Sequence, residues 1–218
     1  MTRPTRPGAF LLAAVAAALG TIAAGQSPVP ADLEARVKQF LERHRYNGRD
    51  MNAPEADGQM LHDLIVEHKY TRALEIGTST GRSGIWIALA LSKTGGKLVT
   101  IDIDKGRHDE AVANFQQAGV APFIDARLAD AHDLVPRLEG PFDFVFIDAD
   151  KDWYTNYAKA VIPKLTANAC IAAHNVYPSG RSRRGMTGDY YEYITALDNF
   201  DTTVSPGGLA VSLRRKLP

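Results

Sequence analysis

The sequence predicts an α/β domain: a mostly parallel seven-stranded sheet with an antiparallel hairpin at one edge and helices on both faces. Three observations lead there. From residue 31 onward, short apolar runs alternate with helix-length amphipathic stretches. No long linker, repeat or low-complexity segment interrupts the alternation. Polar residues also close successive apolar runs, at Asp102, Asp148 and His174-Asn175, which is the edge where an open α/β sheet binds ligands. A chain of 218 residues accommodates one domain of ordinary size, assigned here to residues 31–218.

The first 25 residues read as a secretory signal rather than as fold. Arg3 and Arg6 precede an apolar run over 9–19, and small residues end the segment at Ala23-Ala24-Gly25. The run is short for a membrane span. An uncleaved anchor and a start placed too far upstream are the alternative readings. On the signal reading the protein is secreted or periplasmic; otherwise it is cytoplasmic. Residues 26–30 form a flexible lead-in to the domain.

Residues 31–45 follow as a helix with Leu33, Val37, Phe40 and Leu41 on its apolar face, then 58–68 with Met60, Leu61, Leu64 and Ile65. The first strand is Arg72–Ile76. A helix over 83–91 leads to the strand Lys97–Asp102, then to a helix closed by Gly119 and a weaker strand, Ile124–Leu128. Phe142–Ile147 is nearly continuous in apolar residues, which implies burial on both faces. A helix over 153–161 precedes the strand 170–173, and another helix covers 189–197. The runs 201–204 and 209–213, joined through Pro206-Gly207-Gly208, form the edge hairpin.

Chemistry concentrates at the strand ends. Residues 73–84 pass from an apolar strand through Gly77 and Gly81 directly into a helix, which lets backbone approach a ligand and offers free N–H groups. Glu75 sets a carboxylate where a phosphate would be repelled, and the two glycines lie four apart, outside the G-x-G-x-x-G spacing. A cationic, phosphate-free nucleoside such as S-adenosylmethionine suits the turn better than a dinucleotide. Asp102 stands where a carboxylate accepts ribose hydroxyls, with helix capping as the alternative, a role that Asp104 can also take. Asp148, His174 and Asn175 offer O, N and O ligands to a divalent ion, or else belong to an ion-paired loop beside an unrelated turn. Lys151 is a candidate proton acceptor or a solvated lysine.

Lys plus Arg and Asp plus Glu are both 25, so no overall field draws nucleic acid, and loss of Arg3 and Arg6 would leave the domain slightly acidic. Arg181, Arg183 and Arg184 form a local cluster, read as a solvated loop or an anion site. Cys170 is the one cysteine, which excludes an intramolecular disulfide and reads as a buried, inert thiol. Neither a nucleic-acid partner nor a stable membrane span is expected.

Residues 50–214 resemble the cation-dependent O-methyltransferases of the caffeoyl-CoA and catechol type, class I S-adenosylmethionine enzymes. The resemblance rests on Met51-Asn52-Ala53-Pro54 leading to Asp57-Gly58-Gln59, and on Leu74-Glu75-Ile76-Gly77 with Thr80, Gly81 and Ser83. It extends to Ile101-Asp102 and to Phe146-Ile147-Asp148-Ala149-Asp150-Lys151-Asp152 with Tyr154 and Tyr157. It implies a Rossmann-like methyltransferase domain and a homodimer to which the 31–45 helix contributes. It also implies a cofactor site of Met51, Ala53, Glu75, Gly77, Thr78 and Ser83, with Asp102 on the ribose and Asp130 and Ala131 beside the adenine. Asp148 and Asp150 would also face the cofactor, Asp148 and Asn175 would hold a metal, and Lys151 would be the general base.

One departure matters: where the family has an Asp-Asn pair, this chain has His174-Asn175. A neutral nitrogen in place of an anionic oxygen shifts preference from magnesium toward manganese, iron or zinc, or abolishes metal binding. Val176-Tyr177-Pro178 replaces a family tryptophan, the loop 179–188 would wall the acceptor pocket, and Tyr190 and Tyr191 would pack or touch substrate. The expected reaction is methyl transfer to a hydroxyl of a small ortho-dihydroxy aromatic acceptor. Two alternatives are a metal-independent transferase with His174 as base, and a secreted binding protein on the same fold.

Overall fold

A computed structural model describes residues 32–44, 53–178 and 187–215. The segment read as a signal, the expected lead-in, Met51, and residues 179–186 of the expected pocket-wall loop, with the arginines at 181, 183 and 184, lie outside the described residues. Seven strands form one sheet: β1 (Arg72–Ile76), β2 (Lys97–Asp102), β3 (Ile124–Leu128), β4 (Phe142–Ile147), β5 (Leu165–Ala173), β6 (Phe200–Val204) and β7 (Ala210–Arg214). Their order is β3-β2-β1-β4-β5-β7-β6, with the first five parallel and β7 antiparallel to both of its neighbours. The helices are α1 (Leu33–Arg43), α2 (Glu55–His68), α3 (Arg82–Thr94), α4 (Lys105–Ala118), α5 (Ala131–Arg137), α6 (Tyr154–Val161) and α7 (Gly188–Thr195). Among the described residues no helix is long and apolar enough to cross a membrane.

The two-residue period of the central strands assigns each helix layer its partners. Val145 and Ile147 of β4 face a core shared with Val135 of α5, Tyr154 and Val161 of α6 and Ile194 of α7. Phe144 and Phe146 face the other way, into a core with Leu61 and Ile65 of α2 and Ile87 and Leu91 of α3. A third cluster fastens α1 to α3 and α4 through Leu33, Val37, Phe40, Ile85 and Phe115. Cys170 is wholly enclosed, and burial pushes its thiol up to about 12, so it is inert at neutral pH.

The structure corrects several sequence expectations. Helix α2 begins at Glu55, three positions before the predicted start, and its inward face runs through Asp57, Gly58, Leu61, His62 and Ile65. Met60 points outward, 38% exposed, because α2 presses on α3 so closely that a Cβ on Gly58 would lie 2.2 Å from the Trp86 ring. Strand β5 starts at Leu165, with a register irregularity against β4 between Phe142 and Phe144; its exposed Ala167 and Asn168 concealed it. Helix α5 was not predicted, since it is one short segment with Pro136 inside and only Val135 buried; its signal was Asp130, whose carboxylate caps the His132 N–H at 2.9 Å.

Truncating Phe144 to Ala should lower unfolding free energy by about 3–5 kcal/mol, whereas Met60→Ala should change it by less than about 0.5 kcal/mol. Urea denaturation of the two variants checks this, and equal losses at both positions would contradict the assigned faces.

Candidate active site

The parallel ladder continues one residue beyond each central strand, and this delivers the polar groups to one edge. The N–H of Asp148 donates to the Ile76 carbonyl at 2.9 Å, that of His174 to Ile147 at 3.0 Å, and that of Gly77 to Ile101 at 3.0 Å. Between β1 and β4 the connections leave in opposite directions, which opens a crevice at the carboxyl ends of the strands. The crevice is a cleft of about 670 Å³ lined by five aspartates, at 102, 104, 130, 148 and 150. Gly77, Ala131, Lys151, His174 and Asn175 also line it, as do Ser79, Arg107, His132 and Tyr157, which the sequence reading did not assign to the site.

Gly77 is required on two counts. Its φ is +103°, and a Cβ there would sit 2.4 Å from the Asp148 carbonyl oxygen. The turn then carries Ser79, whose N–H donates to Asp102 Oδ2 at 2.7 Å. Asp102 Oδ1 accepts the Asp104 N–H at 2.9 Å, while Asp104 caps α4 by accepting the Arg107 N–H at 3.0 Å. Asp102 is therefore a fixed acceptor at the mouth of the cleft, and capping falls to Asp104.

Glu75, Thr78, Ser83 and Ala53 do not line the cleft; they are buried beneath or beside it. Glu75 is fully enclosed, accepts the Thr100 hydroxyl at 2.6 Å and a second bond from Ser83, and leaves Oε1 without a partner. Since Thr100 spends its one proton on Glu75, Thr78, 2.6 Å from Thr100 Oγ1, must be the donor in that pair. Burial pushes the Glu75 carboxyl up to about 7, against the lowering influence of Ser83 and Thr100. Its part is to brace the turn from below.

At the other end of the cleft, Lys151 Nζ donates to Asp148 Oδ1 at 2.6 Å and to the Tyr154 hydroxyl at 2.7 Å. Tyr154 in turn donates to the His174 carbonyl at 3.1 Å. His174 stands between two carboxylates, with Nδ1 3.2 Å from Asp148 Oδ2 and Nε2 3.1 Å from Asp57 Oδ2. The Asp57 contact is one of charge rather than a well-aligned hydrogen bond. Burial disfavours charge on the ring, but the two carboxylates outweigh it and raise the His174 pKa to about 9. Asp148 is held below the usual carboxylate range although burial opposes ionisation, because His174 and Lys151 both stabilise its anion. Asn175 takes the left-handed conformation at φ 58°, its carbonyl accepting the Thr187 hydroxyl at 3.0 Å.

The predicted metal ligands do meet, but not as a metal site. Among the described residues no group of three or more His, Cys, Asp or Glu side chains is arranged to hold a metal ion. Each ring nitrogen of His174 faces a carboxylate oxygen, and Lys151 occupies the other oxygen of Asp148. These residues, as arranged, do not fit a divalent ion. Each ring nitrogen of His174, the alternative base, stands against a carboxylate oxygen. Asp57 escaped the sequence reading as a site residue because its partner lies far along the chain. His132 was also missed; it spans Asp130 and Asp150 at 3.3 and 3.4 Å and stacks on Trp153 with ring centroids 4.0 Å apart. Tyr190 is wholly buried, edge-on to Tyr154 at 5.8 Å, within the core shared by α6 and α7.

Strand order, reversed β7 and a cleft at the strand ends define the Rossmann-like methyltransferase architecture. The O-methyltransferase family model matches residues 29–194, and the chain belongs to that family. It is 34% identical over 149 residues to caffeoyl-CoA O-methyltransferase 1 of Eucalyptus globulus, covering 66% of this chain and 59% of that protein. Over 128 residues it is 38% identical to catechol O-methyltransferase of Niastella koreensis, covering 57% and 58%. The chain thus spans under two thirds of the length of these curated relatives. Among solved structures, the O-methyltransferase TomG of Streptomyces achromogenes, in complex with SAM, superposes with TM-score 0.66 at 26% identity over 84% of this chain and 90% of that one. An O-methyltransferase of Bacillus cereus, in complex with SAH, gives 0.67 at 25% over 86% and 92%.

Because the folded-state pKa of Glu75 lies above its ordinary value of 4.5, its contribution to stability is complete below about pH 4.5 and is lost as pH rises through 7. Glu75→Gln should therefore gain on wild type as pH rises from 4.5 to 8, by up to about 3 kcal/mol. Unfolding of the ligand-free proteins across that range reads it, and a pH-independent difference would contradict the buried, protonatable carboxyl.

Proposed function

We propose that the chain transfers the methyl group of S-adenosylmethionine to a hydroxyl of a small catechol-like or phenolic acceptor. The observation that carries this reading is a cleft lined by five aspartates, with a glycine turn at one end and the Lys151–Asp148 pair at the other. A sulfonium nucleoside is a cation, so an acid-lined cleft suits it and repels a phosphate-bearing cofactor. Asp102, already anchored by two backbone N–H groups, has acceptor capacity left for ribose hydroxyls. Asp130, Ala131 and His132 take the adenine end, and Asp148, Asp150 and Lys151 the reacting end. The catechol and caffeoyl-CoA names of the relatives support the acceptor class.

In the reaction the acceptor oxygen forms a bond to the methyl carbon as the carbon–sulfur bond breaks, leaving S-adenosylhomocysteine. The hydroxyl proton passes to Lys151, which is an ammonium in the resting ion pair with Asp148 and must first give up a proton to solvent. Alignment of oxygen, carbon and sulfur along the strand ends is the larger contribution, since positioning supplies roughly 7–11 kcal/mol while general-base assistance gives about 10²–10⁴-fold. Asp148 holds both Lys151 and His174, so its loss disorders more of the site than loss of either.

Label transfer from methyl-labelled S-adenosylmethionine to catechol is the direct assay. Transfer supports the proposal; S-adenosylhomocysteine binding without transfer to catechols or monophenols would favour the non-catalytic alternative. Asp148→Ala should cut kcat more than Lys151→Ala, and the reverse order would overturn these roles. Asp102→Asn should weaken S-adenosylhomocysteine binding by about tenfold to a hundredfold, the worth of one or two charge-assisted hydrogen bonds, as read by calorimetry.

A further inference from the structure

Four side chains beside the cleft alternate in charge: Asp57, His174, Asp148 and Lys151, linked at 3.1, 3.2 and 2.6 Å. We propose that His174, clamped between Asp57 and Asp148, is a built-in cation that takes the place of a divalent metal, so that this site works without one.

The donor set carries the first part of the inference. A metal ligand must present a lone pair to the ion at about 2.0–2.2 Å, and a histidine ligand usually spends its other nitrogen on a carboxylate. Here a carboxylate oxygen faces each nitrogen, so a neutral ring would set its lone pair against an anion. Protonation on both nitrogens removes that repulsion, and a ring in that state has no lone pair to give. Asp148 is committed as well, one oxygen to His174 and the other to Lys151.

Charge balance carries the second part. Two carboxylates, an imidazolium and an ammonium sum to zero, so the cluster is neutral before anything binds. A dication added to it would leave two positive charges uncompensated at residues that are mostly buried, which is costly. Asp57 is what closes the balance. It lies in the first turn of α2, only 4% exposed and packed near the Gly207 turn between β6 and β7, and among the described residues His174 is its ion-pair partner. His174 is thus a positioning residue: it fixes one oxygen of Asp148 while its carbonyl fixes Tyr154, and these two hold Lys151. Its catalytic consequence rests on methyl transfer in this cleft, whereas the test below reads metal binding alone.

The full chain, stripped with chelator and then freed of it, is titrated with Mn²⁺ while free Mn²⁺ is followed by electron paramagnetic resonance and unfolding by calorimetry. Wild type should leave the Mn²⁺ free and its melting temperature unmoved. His174→Asp, which removes the clamp and supplies an anionic oxygen, should take up one Mn²⁺ and melt about 5 °C higher at about 100 times its Kd. His174→Asn serves if that variant does not fold. Stoichiometric binding by wild type that His174→Ala abolishes would overturn the inference. So would a folded His174→Asp that gains no Mn²⁺.

Discussion

The site depends on one close approach, that of the Gly77 turn to the backbone of Asp148. Strands β1 and β4 are neighbours whose connections depart to opposite sides, and the turn after β1 must leave the sheet within a residue of where β4 ends. A side chain at position 77 would collide with the Asp148 carbonyl, so only a glycine at positive φ lets both strands finish together. From that junction follow the crevice, the free edge of Asp102, and the position of Asp148 between a lysine and a histidine. The buried Glu75 braces the turn from below through Ser83 at the start of α3, with Thr100 of β2 as its second donor.

The cleft has two electrostatic halves. Toward β2 and β3 its carboxylates are capped and anchored by backbone N–H groups, with the Arg107 guanidinium nearby. This half retains a surplus of negative charge, which favours a cationic ligand. Toward β4 and β5 the carboxylates are matched by side-chain cations, so the network is closed on itself. On the proposed function, opposite requirements explain the contrast: the first half would receive a charge from outside, and the second would hold a lysine and an acceptor hydroxyl in a fixed relation.

Much of this was legible in the sequence, for identifiable reasons. The bounds of β1, β2 and β4 coincide with their apolar runs, because central strands covered on both faces have little freedom in composition; β3, a half-exposed edge strand, gave a weaker signal. Gly77, Asp102, Asp148 and Lys151 were also legible, since a strand that ends in a glycine or a carboxylate carries its own address in an α/β sheet. Met60 misled because a Gly58–Trp86 contact, invisible in a helical period, sets the rotation of α2. Asp57 and His132 were missed because their meaning lies in partners from other elements: His174 across the sheet edge, and Asp150 with Trp153. His174 was singled out as a ligand or base, but its two carboxylate neighbours could not be read from its own strand. They turn a presumed ligand into a bound cation.

The central claim is that the strand-end cleft holds the nucleoside, with its reacting end beside Asp148 and Lys151. A crystal structure of the protein with S-adenosylhomocysteine tests it most directly. The account predicts the ribose hydroxyls on Asp102, the adenine beside Ala131 and the sulfur directed toward Asp148 and Lys151. Nucleoside density elsewhere, or reversed with the adenine against His174, would contradict it.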